Sequence, residues 1–180
     1  MGKNFKIEGA ELKGLTKIKE VLEQYKQHYV KVGVLGGNAP SGESYASIAM
    51  LHEYGSESPR TFNYKGKKVK ISGVPTRSFI RMPIRTHLKK LKGDTVKQGG
   101  TVQKSLLLDF KHGYTGVALK LLGMNAEAII QEAFDTQGFG KWPANISEKY
   151  IALKGSDTPL IDTGRLRAAV TSQVVKKQWK

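Results

Sequence analysis

Cysteine is absent from these 180 residues, which excludes disulfide frameworks, cysteine-ligated zinc, iron–sulfur clusters and thiol nucleophiles together. Long apolar runs are missing as well. No stretch approaches the roughly 18–20 residues that cross a bilayer, and the opening MGKNFKIEGAELKG lacks the apolar centre of a secretion signal. The expectation is a soluble, unsecreted chain with no membrane partner, held in a reducing compartment. Histidine is scarce, with four in the whole chain, so a histidine-rich metal centre is not expected either. At this length the chain reads as one domain, 1–180, large enough to bury an ordinary core without a covalent staple.

Acidic side chains are what the middle of the chain lacks. Residues 1–59 carry seven basic and seven acidic side chains, and 105–180 carry ten and seven, whereas 60–104 hold thirteen basic residues and a single acid, Asp94. That block sets the net charge of +15. Self-repulsion in such a segment is relieved by a partner of opposite sign: nucleic-acid phosphate, an anionic membrane or an acidic protein surface. A solvated basic face that binds nothing is the plain alternative. Phe62, Tyr64 and Phe79 supply a few of the aromatics that a nucleic-acid module would interleave with its cations.

Periodicity organises the rest. Leu12, Leu15, Ile18, Val21, Leu22, Tyr25 and Tyr29 recur at helical spacing, and Tyr29–Leu35 then alternates as a strand before a glycine-rich turn. Ser44 is placed to cap a short helix ending at Tyr54 and Gly55. Thr61–Tyr64 and Lys68–Ile71 flank Lys65-Gly66-Lys67 as an exposed basic hairpin. Pro83 suits a first helical turn, after which Ile84, Leu88 and Leu91 form a stripe beside Arg81, Arg85, Lys89 and Lys92. A short helix over 102–111 follows. From about Thr115 to Thr136 the pattern predicts the main core helix, with Val117, Leu121, Met124 and Ala128, flanked by Leu122, Ile129, Ala133 and Phe134, giving it a wide buried face. Asn145 with Glu148, and Asp162 or Thr163, are spaced to cap two further short helices. Val170, Ser172 and Val174 then alternate as a last strand. Several helices and few strands predict an α+β fold, a small and mainly antiparallel sheet packed against helices, with the basic hairpin exposed.

Catalytic patterns are near misses. Gly33–Gly37 lacks the lysine of a phosphate loop and the dinucleotide spacing, so a strand-to-helix turn explains it better. Gly42-Glu43-Ser44-Tyr45-Ala46 approaches a nucleophile elbow, but Ser44 fits better as a cap. His52-Glu53 opens a zinc-protease motif whose second histidine is replaced by Ser56. His28, His87 and His112 stand alone, and Asp157 with Asp162 reads as turn and cap chemistry. No catalytic, cofactor or metal residues are assigned, and the chain is not expected to be an enzyme.

Three segments carry a resemblance: YASIAMLHEYG at 45–55, VPTRSFI at 74–80, and KWPANISEKYIALKG followed by PLIDTGRLRAAVTSQV at the end. Their order and wording resemble the virion morphogenesis proteins of tailed bacteriophages, the tail-completion or head–tail joining (neck) family. Ser78 stands where proline is common in that family, and the chain stops soon after Val175 where many members add strands. The resemblance implies a structural virion protein, assembled in the host cytoplasm as a homo-oligomeric ring, commonly a hexamer, at the neck. Its implied partners are head-connector or adaptor proteins and tail-tube or tail-terminator proteins, with DNA passing through the lumen. On this reading Arg77, Arg81, Arg85, Lys89 and Lys92, with Lys67, Lys68 and Lys70, face a partner or DNA. Trp142, Pro143, Leu160, Asp162, Thr163, Gly164 and Arg165 set a subunit interface or local geometry. The alternative is a basic nucleic-acid-binding protein using the 60–104 segment.

Overall fold

Alternating β-branched residues in HYVKVGV and VTSQVVK favour a pleated, half-buried surface, and the two segments pair although they lie at opposite ends of the chain. A computed structural model describes residues 9–64, 66–91, 101–144, 148, 151–152, 155, 157–160 and 164–178. In it β1 (His28–Val34) and β4 (Val170–Lys176) run antiparallel, His28 opposite Lys176 and Val34 opposite Val170. A second antiparallel pair, β2 (Arg60–Tyr64) and β3 (Lys67–Ile71), forms the expected hairpin. The helices are α1 (Gly9–Gln27), α2 (Tyr45–Tyr54), α3 (Arg81–Thr86), α4 (Leu88–Leu91), α5 (Thr101–His112) and α6 (Val117–Asp135), with a one-turn helix at Arg165–Ala168. The fold is α+β, two small antiparallel sheets with helices packed around them.

The local signals hold at α2. Ser44 Oγ accepts the Ser47 N–H at 3.1 Å, and Gly55, at φ 75°, donates its N–H to Leu51 O at 2.8 Å. The helix that the sequence reads as one run through 83–92 breaks at His87, whose φ of −111° ends α3. Thr86 Oγ1 bonds back to Met82 O at 2.8 Å, and the His87 ring stacks on Phe139 at 4.1 Å. A side chain that competes for the preceding carbonyls, followed by a ring held by another element, bends the run. Leu88 is consequently exposed, while Ile84 and Leu91 are half-buried.

The core helix α6 forms where expected and buries Ile129, Ala133 and Phe134 as expected, but its inner face is not centred on the Val117–Leu121–Met124–Ala128 stripe. Its buried residues are Ala118, Gly123, Ala126, Ile129, Ile130, Ala133 and Phe134. Val117, Met124 and Ala128, expected inside, are exposed, and Leu121 is half-buried. The two stripes lie about half a turn apart. The small side chains explain the choice, since Gly123, Ala126 and Ala133 let the strands approach closely. At Gly123 a Cβ would collide with Ser172 Oγ and stand 3.3 Å from Val30 Cγ1. Ala49, Phe79, Ile130, Phe134, Leu166 and Val170 form the core cluster, with Trp142 and Leu160 packed on it. Phe79 and Phe134 stand 5.0 Å apart, and burying each contributes about 1.5–3 kcal/mol.

Candidate functional site

Glu53 lies one helical turn after Ala49 on the inward side of α2 and is 6% exposed. A carboxylate buried there needs donors, and the segment after Pro75 supplies them. Glu53 Oε2 accepts the N–H of Phe79 at 2.9 Å and of Ile80 at 3.1 Å. Oε1 accepts the Arg81 N–H at 3.0 Å and the Ser78 hydroxyl. Ser78 Oγ in turn accepts the Met82 N–H at 3.0 Å. Together they cap α3, whose N-cap residue Ile80 has no side chain able to do so.

The backbone ties the same two segments together. Arg77 N–H donates to His52 O at 2.7 Å, Thr76 Oγ1 donates to Tyr54 O at 3.0 Å, and Ser56 and Val74 exchange bonds at 2.8 and 2.7 Å. Gly55 and Gly73 are required by this closeness, because a Cβ at either would come within 2.6 Å of an oxygen. The third segment joins through Arg77, whose Nε donates to Pro143 O at 3.0 Å and Nη2 to Ala144 O at 2.8 Å. Trp142 Nε1 donates to Ser78 O at 3.3 Å, with the indole edge-on to Phe134 at 5.7 Å. Before Trp142 the chain turns through left-handed Gln137, Gly138 and Phe139. Gly138 faces the indole at a distance no Cβ could share.

This junction sorts the expected docking residues. Arg77 is 5% exposed and clamps two carbonyls, so it cannot face a partner, and its assignment as a docking cation is corrected. Arg81 is half engaged, 3.7 Å from Glu53 and over the Tyr54 ring at 5.0 Å. Lys90, a ridge residue to which the sequence assigns no role, bonds Glu132 at 2.8 Å and pins α4 to α6. Arg85 and Lys89 are exposed, as are Lys67, Lys68 and Lys70, and none of these five enters an ion pair among the described residues. Lys92 lies outside the described residues.

Trp142 and Leu160 belong to the subunit's own core rather than to an exposed contact. Pro143 and Arg165 are exposed. Asp162 and Thr163 lie outside the described residues. Their expected role as caps of the Arg165–Ala168 helix therefore falls outside them too; the residue at that helix's N-cap position is Gly164, at φ 71°. Asn145, expected to cap a helix with Glu148, is likewise outside them.

A second buried carboxylate carries no role in the sequence reading. Asp109 on α5, 1% exposed, accepts the Tyr25 hydroxyl at 2.5 Å and the Thr115 hydroxyl and N–H, the latter at 3.2 Å. Tyr114 packs edge-on to Tyr25 and stacks with His28, each at 5.1 Å. Burial, then the bond to Asp109, raises the Tyr25 pKa well above the ordinary tyrosine range. Burial and the nearby Asp109 also raise that of Tyr114. The cluster fastens α1 to α5. Both carboxylates have a legible signal: Glu53 is four residues after Ala49, and Asp109 is in phase with Val102 and Leu106 on their helix.

Among the described residues no group of three or more His, Cys, Asp or Glu could hold a metal ion, and no helix is long and apolar enough to cross a membrane. No family model, curated protein or solved structure matches this chain.

Proposed function

We propose that the chain is a structural subunit of a tailed-phage virion, a tail-completion or head–tail joining protein that closes into a ring at the neck. One observation carries the reading. Each segment that carries the resemblance contributes to a single core: Ala49 from the first, Phe79 from the second, Trp142, Leu160, Leu166 and Val170 from the last. Residues separated by more than a hundred positions are mutually dependent there, so their joint occurrence is one physical feature rather than several coincidences.

The surface supports a subunit that functions by contact. Val117 and Met124 on α6 are 42% and 61% exposed, and Leu107 and Leu108 on α5 are 67% and 55%. Exposed apolar side chains on α5 and α6 are available for burial against a second copy, and a ring repeats one heterologous contact until it closes. Arg85 and Lys89 are free to meet an acidic connector or tail ring, where charge sets orientation and on-rate. In a ring of six such subunits the lumen leaves a passage for DNA.

The test is imaging and native mass measurement of the purified protein, alone and mixed with connectors or tails. A closed ring at the head–tail junction is the expected result. A chain that stays monomeric and binds neither structure overturns the reading.

A further inference from the structure

Among the described residues the basic block divides into cations engaged within the subunit and exposed cations that enter no ion pair, and three of the latter, Lys67, Lys68 and Lys70, are on the β2–β3 hairpin. Its register sorts the residues by face. Thr61 stands opposite Lys70 and Asn63 opposite Lys68, so these four share one face, and all four are exposed. The other parity holds Arg60, Phe62, Tyr64, Lys67, Val69 and Ile71, of which Val69 and Ile71 are half-buried. From Arg60 to Ile71 there are five basic residues and no acid. The base is tied to the junction through the paired Ser56 and Val74.

We infer that this hairpin is a contact arm for duplex DNA, with Lys68, Lys70, Asn63 and Thr61 laid against the phosphate backbone. The residue types suit that partner. Lysine ammonium groups and short hydroxyl and amide side chains are the usual phosphate contacts, and they need no sequence reading. A face of one sign fits a uniformly charged polymer. The four-residue face has no aromatic position, and a single strand would need bases stacked among the cations. A two-stranded ribbon, its strands about 4.8 Å apart, enters the major groove of B-form DNA, while that of A-form RNA is too narrow. The inference goes beyond the ring reading and does not need it, because it is tested on the purified subunit.

Binding of a short labelled DNA duplex of arbitrary sequence is measured by fluorescence anisotropy across a series of salt concentrations. For the wild-type protein the logarithm of affinity should fall linearly with that of salt. In Lys68→Ala/Lys70→Ala the slope should shrink by about 1.8, at about 0.9 for each phosphate no longer neutralised. Lys68→Arg/Lys70→Arg should keep the wild-type slope. Asn63→Asp, which places an acid opposite Lys68, is a second variant that should weaken binding should the double variant fail to fold. An unchanged slope in the folded alanine variant overturns the inference, as does absence of duplex binding at low salt. Single strands held as tightly as duplex overturn the choice of DNA form. Loss of connector or tail attachment with DNA binding unchanged assigns the face to acidic protein instead. Failure of ring closure, read by mass, touches none of these outcomes.

Discussion

Glu53 and Asp109 are buried carboxylates, and each is kept in place by the donors that surround it. Replacing Glu53 with Ala strands the N–H groups of Phe79, Ile80 and Arg81 at the start of α3. The expected cost is about 3–5 kcal/mol, read as a shift in the urea midpoint. At the other site, Tyr25→Phe removes one donor to Asp109 and should cost about 1.5–3 kcal/mol. It also carries a pH signature. The folded-state pKa of Tyr25 is raised, so the stabilisation is complete below about pH 10, the ordinary tyrosine value, and is lost as pH climbs through the raised one. Melting temperature against pH should therefore fall more steeply above pH 10 in the wild type than in Tyr25→Phe. Equal slopes would mean that the hydroxyl titrates alike in both states. Neither carboxylate is assigned from sequence, because His52-Glu53 reads there only as metal chemistry and Asp109 stands among exposed leucines. Their helical phase marks both as inward, but the donors come from residues that only tertiary contact brings near.

Helix α6 shows what an apolar pattern decides and what it leaves open. The run from Val117 to Asp135 is rich in apolar residues on more than one side, so periodicity establishes a helix without selecting its inner face. Packing selects the side with the smaller residues, because two strands must reach its backbone. Gly123→Ala tests this directly. In an exposed helix that change stabilises by about 1 kcal/mol, but here the new methyl would stand 2.9 Å from Ser172 Cβ. Overpacking costs about 1–3 kcal/mol, so net destabilisation is expected in thermal melts, and a raised melting temperature would refute the close approach. The same logic applies at the break between α3 and α4. Ile84, Leu88 and Leu91 are spaced for one stripe, and the His87–Phe139 stack divides it. By contrast, α2 with its Ser44 cap and Gly55 stop, and the β2–β3 hairpin, are determined within a few residues and are legible in full.

For the molecule as a whole, the described cations of the basic segment 60–104 fall into two populations. Arg77 is structural, whereas Arg85 and Lys89 are free. Arg85→Glu/Lys89→Glu should leave the melting temperature within a degree or two of wild type and, on the proposed function, abolish attachment to connectors or tails, checked by co-sedimentation. Arg77→Glu should instead unfold the junction, since a carboxylate cannot donate to the carbonyls of Pro143 and Ala144. If the proposed ring closes through this face, Met124→Glu, which places a charge on the exposed side of α6, should prevent ring closure, read by native mass, with the fold intact. A folded ring in that variant would move the subunit contact away from α6.

By itself the sequence determined the α+β class, the order of its helices and strands, the caps of α2, the hairpin and the location of the charge. Each of these depends on interactions among residues close along the chain, where spacing is visible. Tertiary structure alone decided which face of α6 is buried, that β1 pairs with β4 across the chain, that Glu53 caps α3 and that Arg77 turns inward. Those outcomes depend on which distant groups can satisfy a buried charge or accommodate a close backbone, and one-dimensional spacing does not encode that.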